Sequence, residues 1–351
     1  MASKAAAPFR GAPEEAEGRS VKRMRAPDFW GRDGGVWPVL LSPIAAIYAG
    51  ATARRMARPG WEAPVPVFCC GGATAGGAGK TTLALDLGRR LSTLGVSAHF
   101  LMRGYGGSVK GPLRVRPEQH GSEQVGDEAL LLAALAPTWV SADRAAGAQL
   151  AVEAGAGAII MDDGLQNPTL TKTLSLLTID GNYGFGNGRV IPAGPLREPV
   201  AMAAARCAAA VLIGSDETGA LSALPPGMPV LRGDLAPGPE MEALAGENVF
   251  AFCGIANPRK FLNTLRLGGA VLAGSECFAD HYPFDEGDMR ALLERAAGLN
   301  AIPVTTRKDW VRIPIAFRDQ VRVVSVGLVW EAESAAMLDA MLAAQFQPVV
   351  A

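Results

Sequence analysis

"CCGGATAGGAGKTTLAL", residues 69–85, decides how the chain is read. Five glycines surround Lys80, an apolar run (VPVFCC, 65–70) leads in, and a helical pattern (TTLALDLGRRL, 81–91) leads out. The G-x-x-x-x-G-K-[ST] consensus works because successive backbone N–H groups wrap a polyphosphate, the lysine reaches its β and γ oxygens, and the hydroxyl holds Mg²⁺. Gly79, Lys80 and Thr81 match, whereas Thr74 fills the first glycine slot. Gly76 and Gly77 still let the backbone approach closely, and a strand before with a helix after aims a helix N-terminus at the anion. A glycine-rich turn capped by a threonine is the structural alternative, but it leaves the Lys80-Thr81-Thr82 register unexplained.

A phosphate loop needs a second anion to hold its metal. "AGAIIMDDGLQ" (156–166) has the form of a buried strand delivering Asp162 and Asp163 to the carboxyl edge of a sheet, beside the loop. Either aspartate can serve, and a pair of turn-forming aspartates before Gly164 is the plainer reading.

Around these two stretches, short β-rich runs alternate with helical ones: 65–70, 80–94, 97–102, 126–135, 138–142, 145–154, 158–163, 175–180 and 210–215. Such alternation predicts an α/β fold, a mostly parallel P-loop sheet flanked by helices. Apolar periodicity lapses at "RGDLAPGPEMEALAGEN" (232–248), which reads as a linker. A second, smaller α/β set starts at VFAFCGI (249–255), continues through helices near 258–267 and 286–299, and closes with VRVVSVGLVW (321–330) and a helix at 333–345. The expected division is therefore a flexible extension (1–25), a membrane-associating amphipathic segment (26–60), a P-loop domain (61–235) and a smaller domain (236–351).

Bulk composition narrows the classes. The 351 residues are 49% apolar and 19% charged, which describes a globular protein of two-domain size. A net charge of −1 carries no footprint for nucleic acid. The five cysteines form no CxxC pair and sit mostly in apolar runs, so they read as reduced, buried thiols. The N-terminal region departs from this average. Trp30, Trp37, Tyr48 and Trp61 bracket an apolar stretch from 36 to 50, with basic residues on both sides. About 15 apolar residues fall short of the roughly 20 that span a bilayer, and Pro38 and Pro43 interrupt them, so a segment lying in an anionic headgroup layer is expected. A packed helix and a secretory signal are the competing readings.

Three polar stretches exceed what packing requires. "SEQVGDEALLLAAL" (122–135) sets Asp127 and Glu128 at the start of an apolar helix, where an N-cap is the simpler role. The loop "GNYGFGNGRVIPAGPLREP" (181–199) ends in Arg197 and Glu198, and "FADHYPFDEGD" (278–288) carries His281, one of only three histidines.

Taken together these motifs resemble the tetraacyldisaccharide 4'-kinase family, from about residue 25 to 310. The family's GNxTxGGxGKTP loop is matched by Gly71, Thr74, Gly76, Gly77, Gly79, Lys80 and Thr81; RGYG by 103–106; VGDE by 125–128; DDGFQ by 162–166, with Leu165 for phenylalanine. GNGRxxPAGPLREP is matched by 186–199, GIANPxxF by 254–261, DHxxF by 280–284 and a late KD by Lys308 and Asp309. Departures are Gly72 for asparagine, Thr82 for proline and Asn167 for histidine. The resemblance implies transfer of the γ-phosphoryl of ATP to the 4'-hydroxyl of a tetraacyl glucosamine disaccharide 1-phosphate, by a monomer at the cytosolic face of the bacterial inner membrane. It implies that Lys80 neutralises phosphate oxygens, that Thr81 with Asp162 or Asp163 holds Mg²⁺, that Asp127 accepts the sugar proton and that His281 orients Asp127. It further implies nucleotide contacts from Thr74, Gly76, Gly77, Ala78, Gly79, Lys80, Thr81, Thr82 and Asn257, and substrate contacts from Arg103, Glu128, Gln166, Arg197 and Glu198; a site split between two domains predicts their closure over the substrates. "GGAGKTT" also resembles membrane-recruited ATPase switches of the ParA and MinD type, but those carry a second lysine where this chain has Ala75.

Overall fold

The computed structural model describes residues 27–31, 34–255 and 257–346, so the expected extension at 1–25 lies outside the described residues. Eight strands come first: β1 (Val67–Gly71), β2 (Ala98–Met102), β3 (Leu113–Arg114), β4 (Thr138–Val140), β5 (Ala158–Asp162), β6 (Leu174–Asp180), β7 (Ala209–Ile213) and β8 (Val230–Pro237). Four more, β9 (Asn248–Cys253), β10 (Val271–Cys277), β11 (Ile302–Thr306) and β12 (Arg322–Val324), make a second sheet in the order β10-β9-β11-β12, parallel throughout. The last, β13 (Val326–Trp330), returns to the first sheet, whose order is β13-β8-β7-β6-β1-β5-β2-β4-β3. That sheet is parallel except at its edges, where β13 and β3 run antiparallel.

Central strands β1, β5 and β7 are buried along their whole length, which is why they read as unbroken apolar runs rather than alternating ones. One face packs Phe68, Phe100 and Ile160 against the helix Lys80–Thr93 through Leu83, Leu87 and Leu91, a spacing of four that lines up one helical stripe. The other face packs Cys69, Ile159 and Met161 against Ala148 and Ala151 of the helix Arg144–Glu153 and Ala203 and Ala204 near 200–204.

Four sequence expectations change. The stretch 232–248 is no simple linker, because 230–237 is β8, a strand of the first sheet, and a 3-10 helix follows at Pro239–Leu244. VRVVSVGLVW is not one strand of the second unit. Ser325 divides it, with its carbonyl accepting the Gly238 N–H at 2.9 Å and its hydroxyl bonded to Glu240 at 2.9 and 3.0 Å, so β12 and β13 belong to different sheets. Trp330 then donates its indole N–H to Asp86 at 2.9 Å, and Leu338 and Leu342 of the following helix (Ala332–Ala343) join the first core. A period-two pattern fixes the strand but not its partner, so the boundary drawn at 236–351 gave 326–343 to the wrong sheet. The cysteines are free, but Cys277 is exposed rather than buried.

The fourth change concerns the N-terminal segment. Pro38 and Pro43 do not interrupt it; the helix Val36–Met56 runs 21 residues, about 31 Å. Pro38 falls in the first turn, where no N–H is required of it. Its packed face is made of small residues, with Ala45 and Thr52 buried, while Val36, Trp37, Val39, Leu40, Ile44 and Ile47 point outward. Trp37 is 64% and Ile47 74% exposed, the reverse of a helix docked to cover its apolar side. The helix 36–56 therefore meets the rest of the chain through small residues and leaves its larger apolar side chains outward.

Candidate active site

The register of the central strands builds the site. Strand β1 pairs with β5 so that Cys70 lies opposite Asp162, and the phosphate loop leaves β1 just where the aspartates leave β5. Gly79 takes a left-handed φ of 80° at the turn into the helix, and a Cβ there would stand 2.4 Å from Ile213 Cδ1, so the loop needs glycine on two counts. Thr81 opens the next helical turn and donates its hydroxyl to Asp162 Oδ2 at 2.8 Å. Lys80 curls back on the loop, with Nζ 3.1 Å from the Gly76 carbonyl and 3.1 Å from Asp163 Oδ1.

The two aspartates have divided roles. Asp163, at a left-handed φ of 54°, forms a two-pronged pair with Arg197 at 2.7 and 2.8 Å besides its contact with Lys80. Burial works against its ionisation, but the charges of Lys80 and Arg197 outweigh this and hold the carboxyl below the usual carboxylate range. Asp162 is 2% exposed, and its Oδ1 has no hydrogen-bond partner among the described residues. Burial, then the neighbouring charges of Glu128 and Asp163, push its carboxyl up. An orphaned buried carboxylate oxygen beside a threonine hydroxyl fits the hard, oxygen-seeking Mg²⁺, with phosphate oxygens and water completing its shell.

The long loop after β6 lies on the phosphate loop. Ala75 N–H donates to the Pro195 carbonyl at 2.8 Å, Arg197 N–H to the Ala73 carbonyl at 2.7 Å, and Thr74 bridges Leu196. Two backbones thus meet at hydrogen-bond distance, through Ala73, Thr74 and Ala75 on one side and Pro195, Leu196 and Arg197 on the other. Behind them Gln166 donates to the Gly72 carbonyl at 2.9 Å and to Glu198 at 2.8 Å, and Arg206 clasps Glu198 at 2.6 and 2.8 Å. With 1% exposure and both oxygens engaged, Glu198 supports Gln166 and does not face a substrate, which corrects its expected role. Arg206 went unnoticed in the sequence; its only signal is its position eight residues after Glu198, past the helix near 200–204. Arg103 is exposed, and its charge acts on the buried Arg144, whose guanidinium burial has already lowered. Thr82 carries no side-chain bond among the described residues. Asn257 caps the helix Pro258–Leu267, accepting the Lys260 N–H at 3.3 Å, and nothing here places it against the phosphate loop. At Gly72 a Cβ would meet Lys80 Cδ and the Thr178 carbonyl at an ordinary 3.6 Å, so a side chain could begin there without a clash at its first carbon.

A second pair spans the two sheets. Asp127 is the first residue of the helix Asp127–Ala133, with Gly126 (φ 87°) as its cap, so it is not the N-cap itself. His281, in the second sheet's loop, sets Nδ1 2.5 Å from Asp127 Oδ2. The residue after Asp127 is Glu128, whose charge helps to raise the Asp162 carboxyl.

Comparisons with known proteins converge on one family. Residues 37–347 match the family model described as tetraacyldisaccharide-1-P 4'-kinase. The chain belongs to this family. The tetraacyldisaccharide 4'-kinase of Gluconacetobacter diazotrophicus is 56% identical over 308 residues, covering 88% of this chain and 94% of that protein. That of Rhodospirillum centenum is 52% identical over 315 residues, covering 88% and 93%. Among solved structures, an LpxK of Aquifex aeolicus in complex with ATP aligns with a TM-score of 0.72 at 25% identity, over 89% of this chain and all of that one. The family match extends past residue 310, to the strand and helix that rejoin the first sheet.

Proposed function

We propose that this kinase transfers the γ-phosphoryl of ATP to the 4'-hydroxyl of a tetraacyl glucosamine disaccharide 1-phosphate, with Asp127 as the proton acceptor. The observation that carries the reading is the Asp127–His281 contact, a carboxylate presented by one sheet and held by the other at the edge of a phosphate-loop cleft. A nucleotide switch has no use for such a pair, and that alternative finds no support in the family.

The chemistry asks for positioning and charge neutralisation. As the sugar oxygen bonds to the γ-phosphorus, the bond from phosphorus to the β–γ bridging oxygen breaks, and ADP leaves with that electron pair. Asp127 takes the hydroxyl proton, a step for which a carboxylate of ordinary basicity in hydrogen-bond reach suffices. Lys80, released from the Gly76 carbonyl and Asp163, meets β and γ oxygens, and Arg197 keeps Asp163 engaged meanwhile. Thr81 and Asp162 would hold Mg²⁺, which when bound supplies charge neutralisation to the phosphates. Backbone N–H groups of 76–79 would line the phosphates and Glu128 tunes Asp162; Arg103 is the exposed candidate for a substrate contact, whereas Gln166 is held by the Gly72 carbonyl, Glu198 and Arg197.

The outward apolar face of 36–56 supports a lipid surface as partner, at the cytosolic face of the inner membrane. Length and hydropathy would also suit a spanning helix. However, Ser42, within the helix, accepts from the Arg189 guanidinium at 2.8 Å, and a cation fixed there favours a helix lying in the headgroup layer. Two units, 61–237 with 326–343 and 239–324, hinge where 238 and 325 cross, and close over the substrates. Incubating the protein with Mg-ATP and detergent-dispersed tetraacyl disaccharide 1-phosphate should yield a new sugar phosphomonoester by phosphorus NMR. ATP hydrolysis without that product would reject the proposal.

A further inference from the structure

The late Lys308-Asp309 motif has no part in the chemistry above, yet it anchors a buried guanidinium, that of Arg312. Asp309 is fully buried. Its Oδ1 accepts the Gly254 N–H at 2.8 Å and the Arg312 guanidinium at 2.7 Å, and Oδ2 accepts the Thr306 hydroxyl at 2.5 Å. Arg312, with a side chain 2% exposed, has every nitrogen engaged: Nη2 also donates to the Gly254 carbonyl at 2.9 Å, Nη1 to the Tyr282 carbonyl at 3.0 Å and Nε to the Lys308 carbonyl at 3.2 Å. Its Nε lies 3.4 Å from Asp127 Oδ2, across the cleft.

Two of those carbonyls, of Gly254 and Tyr282, hold the segment that carries His281. The Gly254 carbonyl also accepts the backbone N–H of His281 at 3.0 Å, and His281 sits at a left-handed φ of 62°, a conformation that persists only where neighbours over-determine it. Tyr282 is the next residue, so one guanidinium pins the backbone on both sides of the histidine ring. Among the described residues His281 and Arg312 both address Oδ2 of Asp127, and Oδ1 carries no contact.

We propose that Arg312, oriented by Asp309, is a positioning residue that fixes Oδ2 of Asp127 and the backbone of His281 so that Oδ1 is left to receive the sugar hydroxyl. The planar fork explains why arginine is required: three nitrogens reach five partners, three carbonyls and two carboxylates, and a lysine ammonium cannot serve all of them. The inference rests on the reading of Asp127 as proton acceptor.

A double-mutant cycle tests it. Arg312→Lys keeps the buried charge, and Asp127→Asn removes the acceptor. In the wild-type background R312K should lower kcat at least tenfold with KM for ATP within twofold, and in the D127N background it should cost less than twofold, because the group it acts through is gone. Equal losses in both backgrounds, a matching rise in KM for ATP, or an undiminished kcat would overturn the inference while leaving the Asp127 assignment standing. Full activity of D127N alone would overturn that assignment and the inference with it. Should R312K fail to fold, Asp309→Asn, which leaves the arginine but removes its anchoring charge, is read by the same criteria.

Discussion

Asp162→Asn separates the burden of a buried carboxylate from its use. In the nucleotide-free protein, burial first and then Glu128 and Asp163 push this carboxyl from 3.8 to about 7. Between those values the folded chain keeps a proton that the unfolded chain has released, so stability falls as pH rises and the full loss stands above pH 7. A displacement of that size corresponds to roughly 4 kcal/mol, and relaxation around the buried group brings the expectation to about 2–4 kcal/mol. About two thirds of it falls between pH 5 and pH 8, or about 2–4 °C in Tm for a chain of this size. Asparagine cannot ionise and lacks the effect. The assay is thermal unfolding of both proteins in EDTA across that range, read as the pH dependence of their Tm difference, in which the amide's own desolvation cost cancels. The variant should gain on the wild type as pH rises, and Mg-ATP should stabilise the wild type but not the variant. Parallel Tm curves from pH 5 to pH 8 would refute the idea that Asp162 is held ready, uncompensated, for a cation.

Gly79→Ala should weaken ATP binding by calorimetry at least tenfold, since the methyl would lie 2.4 Å from Ile213 Cδ1 at φ 80°; adding Ile213→Ala should recover the crowding but not the roughly 1 kcal/mol of left-handed strain. Glu198→Ala leaves the Arg206 guanidinium and Gln166 without their buried partner and should cost about 3 kcal/mol in urea unfolding, with KM for the lipid changed little. Replacing Trp37 and Ile47 together by glutamate should abolish sedimentation with anionic vesicles yet leave turnover of detergent-dispersed substrate within about twofold, because both side chains face outward.

The sequence by itself determined the elements that local physics fixes. A strand buried on both faces must be apolar throughout, a phosphate loop must be glycine-rich and end in Lys-Thr, and an acid pair after such a strand must emerge at the sheet edge. So the Lys80-Thr81 turn and the Asp162-Asp163 pair were legible, and the contact between Asp127 and His281 was legible from motif resemblance rather than from spacing. Only the tertiary structure decided which partner each group took. Asp162 and Asp163 are adjacent and chemically identical in sequence, and they part only because Arg197, from a loop 34 residues on, claims one of them. Glu198 looked like a substrate contact until Arg206 and Gln166 closed over it. The run 321–330 alternates like one strand, yet Ser325 pins it between two sheets. Periodicity reports how a residue faces its own element, and pairing between distant elements is settled by shape and charge that meet only after the chain has folded.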